Sequence, residues 1–469
     1  MAIDHSPATW PVLVVGGDER VALLDGSHAR YINLDCGATT PALGPVADAV
    51  RDFLPWYASV HRGAGYKSRL ATAIYERTRA EVAAFLGADL HDRLVVYGKN
   101  ATEALNKLAA RLPFGPGDVV LCSMMEHHSN LLPWRSRAQV DYIDIDPAGH
   151  LDLADLEAKL ARYGGRVRLV AVTGGSNVTG AIPPIHRIAA IAHRHGAEVV
   201  VDAAQLAPHR PIRMGALSDP EHLDYLVLSA HKMYAPFGVG VLVGPRSLFL
   251  QGDPDVVGGG TVKMVTLDEA VWSEPPEKEE AGSPNAVGAV ALAAAMRFLS
   301  AVGMERVAAH ERDITAYALE RLRRIPGVRI YGPPDSAADR LGVISFNVAG
   351  YHHSLVAAIL GWEAGIAVRN GCFCAHPYLL RLLEVGPEDE ALVREEIVCG
   401  IRSRVPGAVR ATFGLFNTRV DVEALARIAR GDIAGTYRQD PATGDHHPDI
   451  PSEDHAAQYE RIVARASRG

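Results

Sequence analysis

The middle of the chain alternates short, continuously apolar runs with helical ones. RLVVY (93–97), DVVLCS (118–123), VRLVAVT (167–173), AEVVVD (197–202), LDYLVLS (223–229) and GVGVLVG (238–244) are apolar at consecutive positions. A strand is apolar on both faces only where both faces are covered, as in a parallel sheet between helical layers. Helical patterns fall between these runs, such as ATEALNKLAARL after the first and IHRIAAIAHRHG, closed by Gly196, before AEVVVD. The alternation predicts an α/β domain with a mostly parallel sheet, placed at residues 31–285.

After PNAVGAV the pattern changes. An Ala-rich helical stretch (286–325) precedes GVRIYGP and LGVISFNVAG, which read as strands. HSLVAAILGWEAG reads as a helix and AVRNGCFCA as extended chain. Residues 286–435 read as a smaller α+β domain. Residues 1–30, with weak alternation in VALLDG and ARYINLD, read as an arm contributing to it. The tail 436–469, containing TYRQDPATGDHHPDIPSEDHAAQ, is polar and expected to pack poorly apart from a last helix.

Composition then excludes several roles. A net charge of −8 leaves no electrostatic footprint for nucleic acid. No apolar run approaches the roughly 20 residues of a membrane span, and MAIDHSPATW lacks the pattern of a signal peptide. Cys36, Cys122, Cys372, Cys374 and Cys399 are too sparse for a disulfide framework, so a cytoplasmic enzyme is expected.

In an open α/β sheet, ligands sit beyond the carboxyl ends of the strands. Asp202 ends AEVVVD, Ser229, His231 and Lys232 follow LDYLVL, His127 and His128 follow DVVLCS, and Asn177 follows VRLVAVT. Residues 100–103 open the helix after RLVVY, whose free N–H groups suit a phosphate. A lysine in a partly apolar cleft has a lowered pKa and acts as a nucleophilic amine. A lysine amine, an acid to pair with a ring nitrogen and a phosphate anchor together describe a site for pyridoxal 5′-phosphate (PLP). Taken singly, each residue has a plainer reading. Asp202 is then a strand-end cap, the histidines are structural groups or metal ligands, and Lys232 is a surface lysine.

LDCGATTP, VHRGAG, ATEALN, MEHHSNLLPW, SNVTGAIPP, VDAAQLAPHRPI, SAHKMYAPFGVGVL, EAGSPNAVGA, LGVISFN, AVRNGCFCAHP and VRATFGLFNT span roughly residues 30–430. With these motifs the chain resembles fold-type I PLP enzymes of aminotransferase class V, and among them the group II cysteine desulfurases and selenocysteine lyases. The resemblance implies a large domain with a mostly parallel seven-stranded sheet and a smaller C-terminal α+β domain. It implies that Lys232 holds the cofactor as a Schiff base and that Asp202 pairs with the ring nitrogen. Gln205 then bonds the phenolic oxygen, His127 stacks on the ring, and Thr102, Ser229 and His231 hold the phosphate. The partner subunit's Ser283, in EAGSPN, completes that cradle in a homodimer. Asn177, Arg369 and Arg410 meet the amino-acid substrate, with Arg410 gripping its carboxylate.

The resemblance also makes Cys374 the residue that attacks substrate sulfur. Cys372 matches no required position, and the GCFC sequence is similar to that of molybdenum-cofactor sulfurases. Cys-x-Cys is too tight for the usual zinc spacing, and no metal is expected. Arg410 follows Cys374 by 36 positions, longer than in group II desulfurases, and the interval includes LEVGPEDEALVREEIVCG. This acidic, helix-patterned insertion reads as a solvated helix, or as a cover or docking element at the site. The reaction expected is PLP-dependent cleavage of the Cβ–S bond of L-cysteine or a relative, giving alanine and a persulfide on Cys374 for a sulfur-acceptor protein. A C–S lyase without persulfide, an epimerase or an aminotransferase of the same class is the alternative.

Overall fold

The computed structural model describes residues 14–333, 340–428, 434–449, 459–460 and 462–463. Its largest sheet has seven strands: β1 (Arg93–Gly98), β2 (Val119–Ser123), β3 (Gln139–Ile143), β4 (Val167–Thr173), β5 (Glu198–Asp202), β6 (Tyr225–Ser229) and β7 (Gly240–Pro245). Their order is β1-β7-β6-β5-β4-β2-β3. Only β7 runs against its neighbours, β1 and β6. The remaining pairings are parallel.

Neighbouring residues of each strand enter opposite cores. Val95, Leu121, Val170, Val199 and Leu226 pack on one face with helices α1 (Gly44–Phe53) and α2 (Tyr66–Leu86). Val96, Val120, Leu169, Val200 and Val227 pack on the other with α3 (Ala101–Arg111). This two-sided burial is why the runs are apolar at every position. The seventh strand, β3, carries no such run. It lies at the sheet edge with one neighbour, so Gln139 is exposed and Asp141 accepts a hydrogen bond from the Tyr163 hydroxyl at 2.8 Å.

Helix α4 (Ile185–Arg194) lies against the first core. The Ala-rich stretch is two helices, α5 (Ala286–Val302) and α6 (Met304–Arg323), bent by 79°. Gly303 between them has φ +91°, a conformation that breaks the helical ladder and that glycine adopts without steric cost. Among the described residues, no single helix is long and apolar enough to cross a membrane.

A second, antiparallel sheet joins β8 (Val328–Tyr331), β9 (Val343–Val348), β10 (Arg369–Gly371) and β11 (Ala408–Thr412) in the order β8-β9-β11-β10. Ile344, Phe346, Val409 and Ala411 share a core with Leu319 and Leu322 of α6 and with Ile32 and Leu34. Residues Arg20–Ala22 and His28–Arg30 form a hairpin. Arg369, Ser345 and Arg410 fall at facing register positions across this sheet.

The tail departs from its expected poor packing. Tyr437–Gln439 pairs with His446–Pro448, and His446 Nδ1 lies 2.7 Å from Ser354 Oγ on helix α7 (His353–Ala364). The last helix falls largely outside the described residues. The insertion forms α8 (Pro387–Val398), none of whose residues is buried.

Candidate active site

The carboxyl ends of β1, β2, β4, β5 and β6 converge on a cavity of about 360 Å³. Thr102, His127, Asn177, Asp202, Ser229, His231, Lys232, Arg369, Cys374 and Arg410 all line it, as the sequence motifs imply. Gln205 is buried beside it and donates to the Gly37 carbonyl at 2.7 Å. Ser283 is not brought there. It is exposed and lines a separate cavity with Ser59, His61 and Arg62.

Lys232 sits in the turn that follows β6, and Asp202 ends β5 one strand away. Burial lowers the Lys232 pKa to about 8 against the pull of Asp202. The amine is thus partly neutral at physiological pH and can act as a base or nucleophile. Burial also raises the Asp202 carboxyl above its usual range, offset by Lys232 and by the Ala204 N–H, which donates at 3.0 Å. The amine and the carboxylate line the same cavity and interact electrostatically.

At the start of α3, Asn100 caps the helix by accepting from Glu103 N–H at 3.0 Å, and Ser229 Oγ accepts from Ala101 N–H at 2.8 Å. Thr102 Oγ1 lies 2.6 Å from Ser129 Oγ, which lies 2.9 Å from His127 Nδ1. Ser129 N–H donates to the same Nδ1 at 3.1 Å, so that nitrogen is an acceptor. Burial, with Lys232 nearby, lowers the His127 pKa to about 3 and that of His231 to about 4. Both rings are neutral at physiological pH. The close approach of β7 explains one glycine. A Cβ on Gly240 would lie 2.3 Å from the Asn100 carbonyl carbon, at the turn that starts α3. Gly240→Ala is therefore expected to cost about 1–3 kcal/mol in denaturant unfolding, because the α3 start must shift.

At the substrate end, Arg410 is 2% exposed. It donates to the Asn177 carbonyl at 2.9 Å and to Asp35 at 3.1 Å, and its Nε has no partner. Burial lowers its pKa and Asp35 opposes that shift. Half-exposed Arg369 shares Asp35 at 3.0 Å. A buried guanidinium with an unpartnered Nε–H and a shared counter-ion is suited to an incoming carboxylate.

The cysteine loop is not simply extended. Phe373 and Cys374 both have left-handed backbone, φ +54° and +55°, a conformation that costs about 1–3 kcal/mol per residue outside glycine. Three contacts hold it. Asn177 Nδ2 donates to the Phe373 carbonyl at 2.7 Å, His128 N–H donates to the Cys374 carbonyl at 2.7 Å, and the Phe373 ring lies 4.8 Å from the Arg410 guanidinium carbon. The turn aims an exposed Cys374 into the cavity. Cys372 is buried, its thiol donates to the Pro406 carbonyl at 2.9 Å, and burial pushes its pKa up to about 12. It is a protonated packing group.

Four supporting residues were not singled out from the sequence. Asp35 and Phe373 orient Arg410. His376 Nδ1 lies 3.0 Å from His128 Nε2, with the rings stacked 4.9 Å apart, beside Cys374. Fully buried Glu126 accepts from Thr173 N–H at 2.6 Å and Asn130 Nδ2 at 2.7 Å, and from Ser123 Oγ, and so fixes the His127 turn. Burial raises its pKa to about 8. Each lies inside or beside a quoted motif, but a motif does not show which of its residues bonds which.

The fold and this arrangement define a class V PLP-type enzyme scaffold. The aminotransferase class-V family matches residues 32–425, and the chain belongs to that family. A cysteine desulfurase of Dickeya dadantii is 38% identical, covering 93% of this chain and 96% of its own length. A probable cysteine desulfurase of Halobacterium salinarum is 36% identical, covering 89% and 93%. Among solved structures, the apo cysteine desulfurase of Thermococcus onnurineus superposes with a TM-score of 0.75 at 35% identity, covering 85% of this chain and 94% of its own.

Proposed function

We propose that the chain is a PLP-dependent cysteine desulfurase acting on L-cysteine or a close relative. The observation that carries this reading is the shared cavity of exposed Cys374, buried Arg410 and the Lys232–Asp202 pair. The residues present fit PLP. A neutral-capable amine, a buried acid, a neutral histidine and a capped helix start converge there, and a buried guanidinium keeps one donor free.

When bound, PLP supplies an aldehyde for amines and a sink for the electron pair left by the broken Cα–H bond. Lys232 would hold the aldehyde, Asp202 would keep the ring nitrogen protonated, His127 would cover a ring face and Gln205 would meet the phenolic oxygen. Thr102, Ser229 and His231 would hold the phosphate, with the partner subunit's Ser283. Arg410 clamps the substrate carboxylate, aided by Asn177 and Arg369. The Lys232 amine, when free, would take the α-proton. Cys374 thiolate attacks the substrate sulfur, so an S–S bond forms as the Cβ–S bond breaks. The carbon takes a proton, giving alanine and a Cys374 persulfide. L-Cysteine plus the thiol balances alanine plus the persulfide, with no external oxidant.

The persulfide then needs an acceptor thiol, which suits the exposed position of Cys374. Unpaired cysteines suit a reducing, cytoplasmic setting. The exposed Ser283, outside its own chain's PLP cavity, suits a closed homodimer. Sedimentation is expected to show a two-chain species, and a monomer fully loaded with PLP would contradict that assembly.

Asp202→Asn is expected to retain the fold and to lower turnover by about 100-fold or more, since the amide no longer holds the ring nitrogen protonated. Near-wild-type rates would leave Asp202 as a strand-end residue. The test of the whole reading is incubation with L-cysteine and product analysis. Equal molar alanine and sulfide in the presence of a thiol reductant support it. Pyruvate, a D-amino acid or a keto acid product would instead mean lyase, epimerase or aminotransferase chemistry.

A further inference from the structure

At the opposite end of the strands that carry Lys232 and Asp202, three polar side chains converge. His193 lies in the last turn of α4, His222 in the loop before β6, and Asp224 directly ahead of Tyr225 at the start of β6. His193 Nε2 is 2.9 Å from one Asp224 oxygen and His222 Nε2 is 3.0 Å from the other. The two rings stack 4.3 Å apart at 21°.

The remaining ring nitrogens fix the proton positions. His193 Nδ1 lies 2.7 Å from the Pro220 carbonyl and His222 Nδ1 lies 2.6 Å from the Asp219 carbonyl. A carbonyl only accepts, so each Nδ1 carries a proton. In the neutral ring, each Nε2 then presents a lone pair to the same carboxylate. Three electron-rich atoms facing one another need positive charge between them. Two extra protons would supply it, at the cost of stacking two imidazolium rings. One divalent cation supplies it with both rings neutral.

This is the donor arrangement of a metal site. Backbone carbonyls that bond Nδ1–H orient Nε2 toward a metal and raise its basicity. Asp224 is oriented in the same way, since Val199 N–H donates to it at 2.8 Å. Glu198 interacts electrostatically with Asp224 and His193, and Arg93 interacts with Asp224 while donating to the Gly215 and Leu223 carbonyls at 2.6 and 3.0 Å.

We propose that His193, His222 and Asp224 bind a divalent d-block cation of the zinc class at the N-terminal ends of β5 and β6. Two imidazoles and one carboxylate match the ligand set of zinc. The three donor atoms lie within 4.8 Å of one another, so bonds of about 2.0–2.2 Å need only a small adjustment. Both histidines are partly exposed, which leaves a fourth position for water. The cation ties α4, the 219–224 loop and the start of β5 together. It lies away from the PLP cavity and acts on it by fixing the strands that end at Asp202 and lead into Lys232.

The test is titration of the EDTA-stripped, full-length, PLP-loaded protein with Co²⁺ alone, followed by visible absorption. One Co²⁺ per chain with weak d–d bands and a raised thermal midpoint is the expected result. His193→Ala and His222→Gln are each expected to weaken binding by at least about 100-fold, beyond the roughly 10–100-fold lost with an outer-shell partner. Absence of binding, unchanged affinity in the variants, or intense thiolate charge-transfer bands from Cys374 would overturn it. If the variants do not fold, anomalous scattering from Co²⁺-soaked wild-type crystals decides. A peak bonded to both Nε2 atoms sustains the site, and none there rejects it.

Discussion

Lys232→Ala is expected to lose covalent attachment of PLP and to fall in turnover by about 10⁴-fold or more. Two functions vanish with one amine, the bond to the aldehyde and the base that takes the α-proton. Its position explains why no other lysine substitutes. The side chain follows β6 into a turn, faces buried Asp202 one strand away, and has its pKa lowered to about 8 by burial. Borohydride reduction of the loaded wild type followed by peptide mapping is expected to place the pyridoxyl group on Lys232. A label on a different lysine would displace the whole site assignment. The variant also leaves the Asp202 carboxylate without its nearby cation, which favours protonation of a group already raised by burial.

Cys374→Ala is expected to bring sulfide and alanine formation from L-cysteine close to background while PLP stays bound. The proposed cofactor contacts lie on β5, β6, the His127 turn and α3, none of which depends on the thiol. Substrate binding is also expected to persist, because Arg410 is held by Asn177 and Asp35. The strained turn gives a further distinction. Alanine tolerates the φ +55° backbone no better than cysteine, so the loop's stability changes little and lost turnover reports the sulfur atom itself. Cys372→Ala is expected to be far milder, since its thiol is pushed up to about 12 and bonds a carbonyl. Its cost is the loss of a buried packing group.

Much of this was legible in the sequence for a physical reason. Parallel strands buried on both faces have to be apolar at every position, and their polar ends stand out against that background. Lys232, Asp202, Ser229 and His127 were readable in this way because each follows such a run. The edge strand β3 was not, because exposed Gln139 and half-buried Asp141 break its apolar run. The bend at Gly303 was hidden in an Ala-rich pattern that continues on both sides of it. The site's tertiary partners were the least legible. Asp35 reaches Arg410 across 375 positions and Asn177 reaches Phe373 across 196, and no local pattern records such pairings. The same holds for the left-handed backbone of Phe373 and Cys374, which contains no glycine to announce it. Ser283 shows the opposite case. Only a resemblance placed it at the phosphate, and within one chain it lies at a separate cavity.

The claim that Cys374 accepts sulfur from the substrate is tested most directly by mass spectrometry of the Cys374 peptide. The loaded enzyme is exposed briefly to L-cysteine without added thiol, alkylated and digested. One additional sulfur on Cys374, alanine in matching amount and no added sulfur on the Cys372 thiol are expected. Steady alanine or other product formation with Cys374 unmodified, or with the extra sulfur only on another residue, would contradict it.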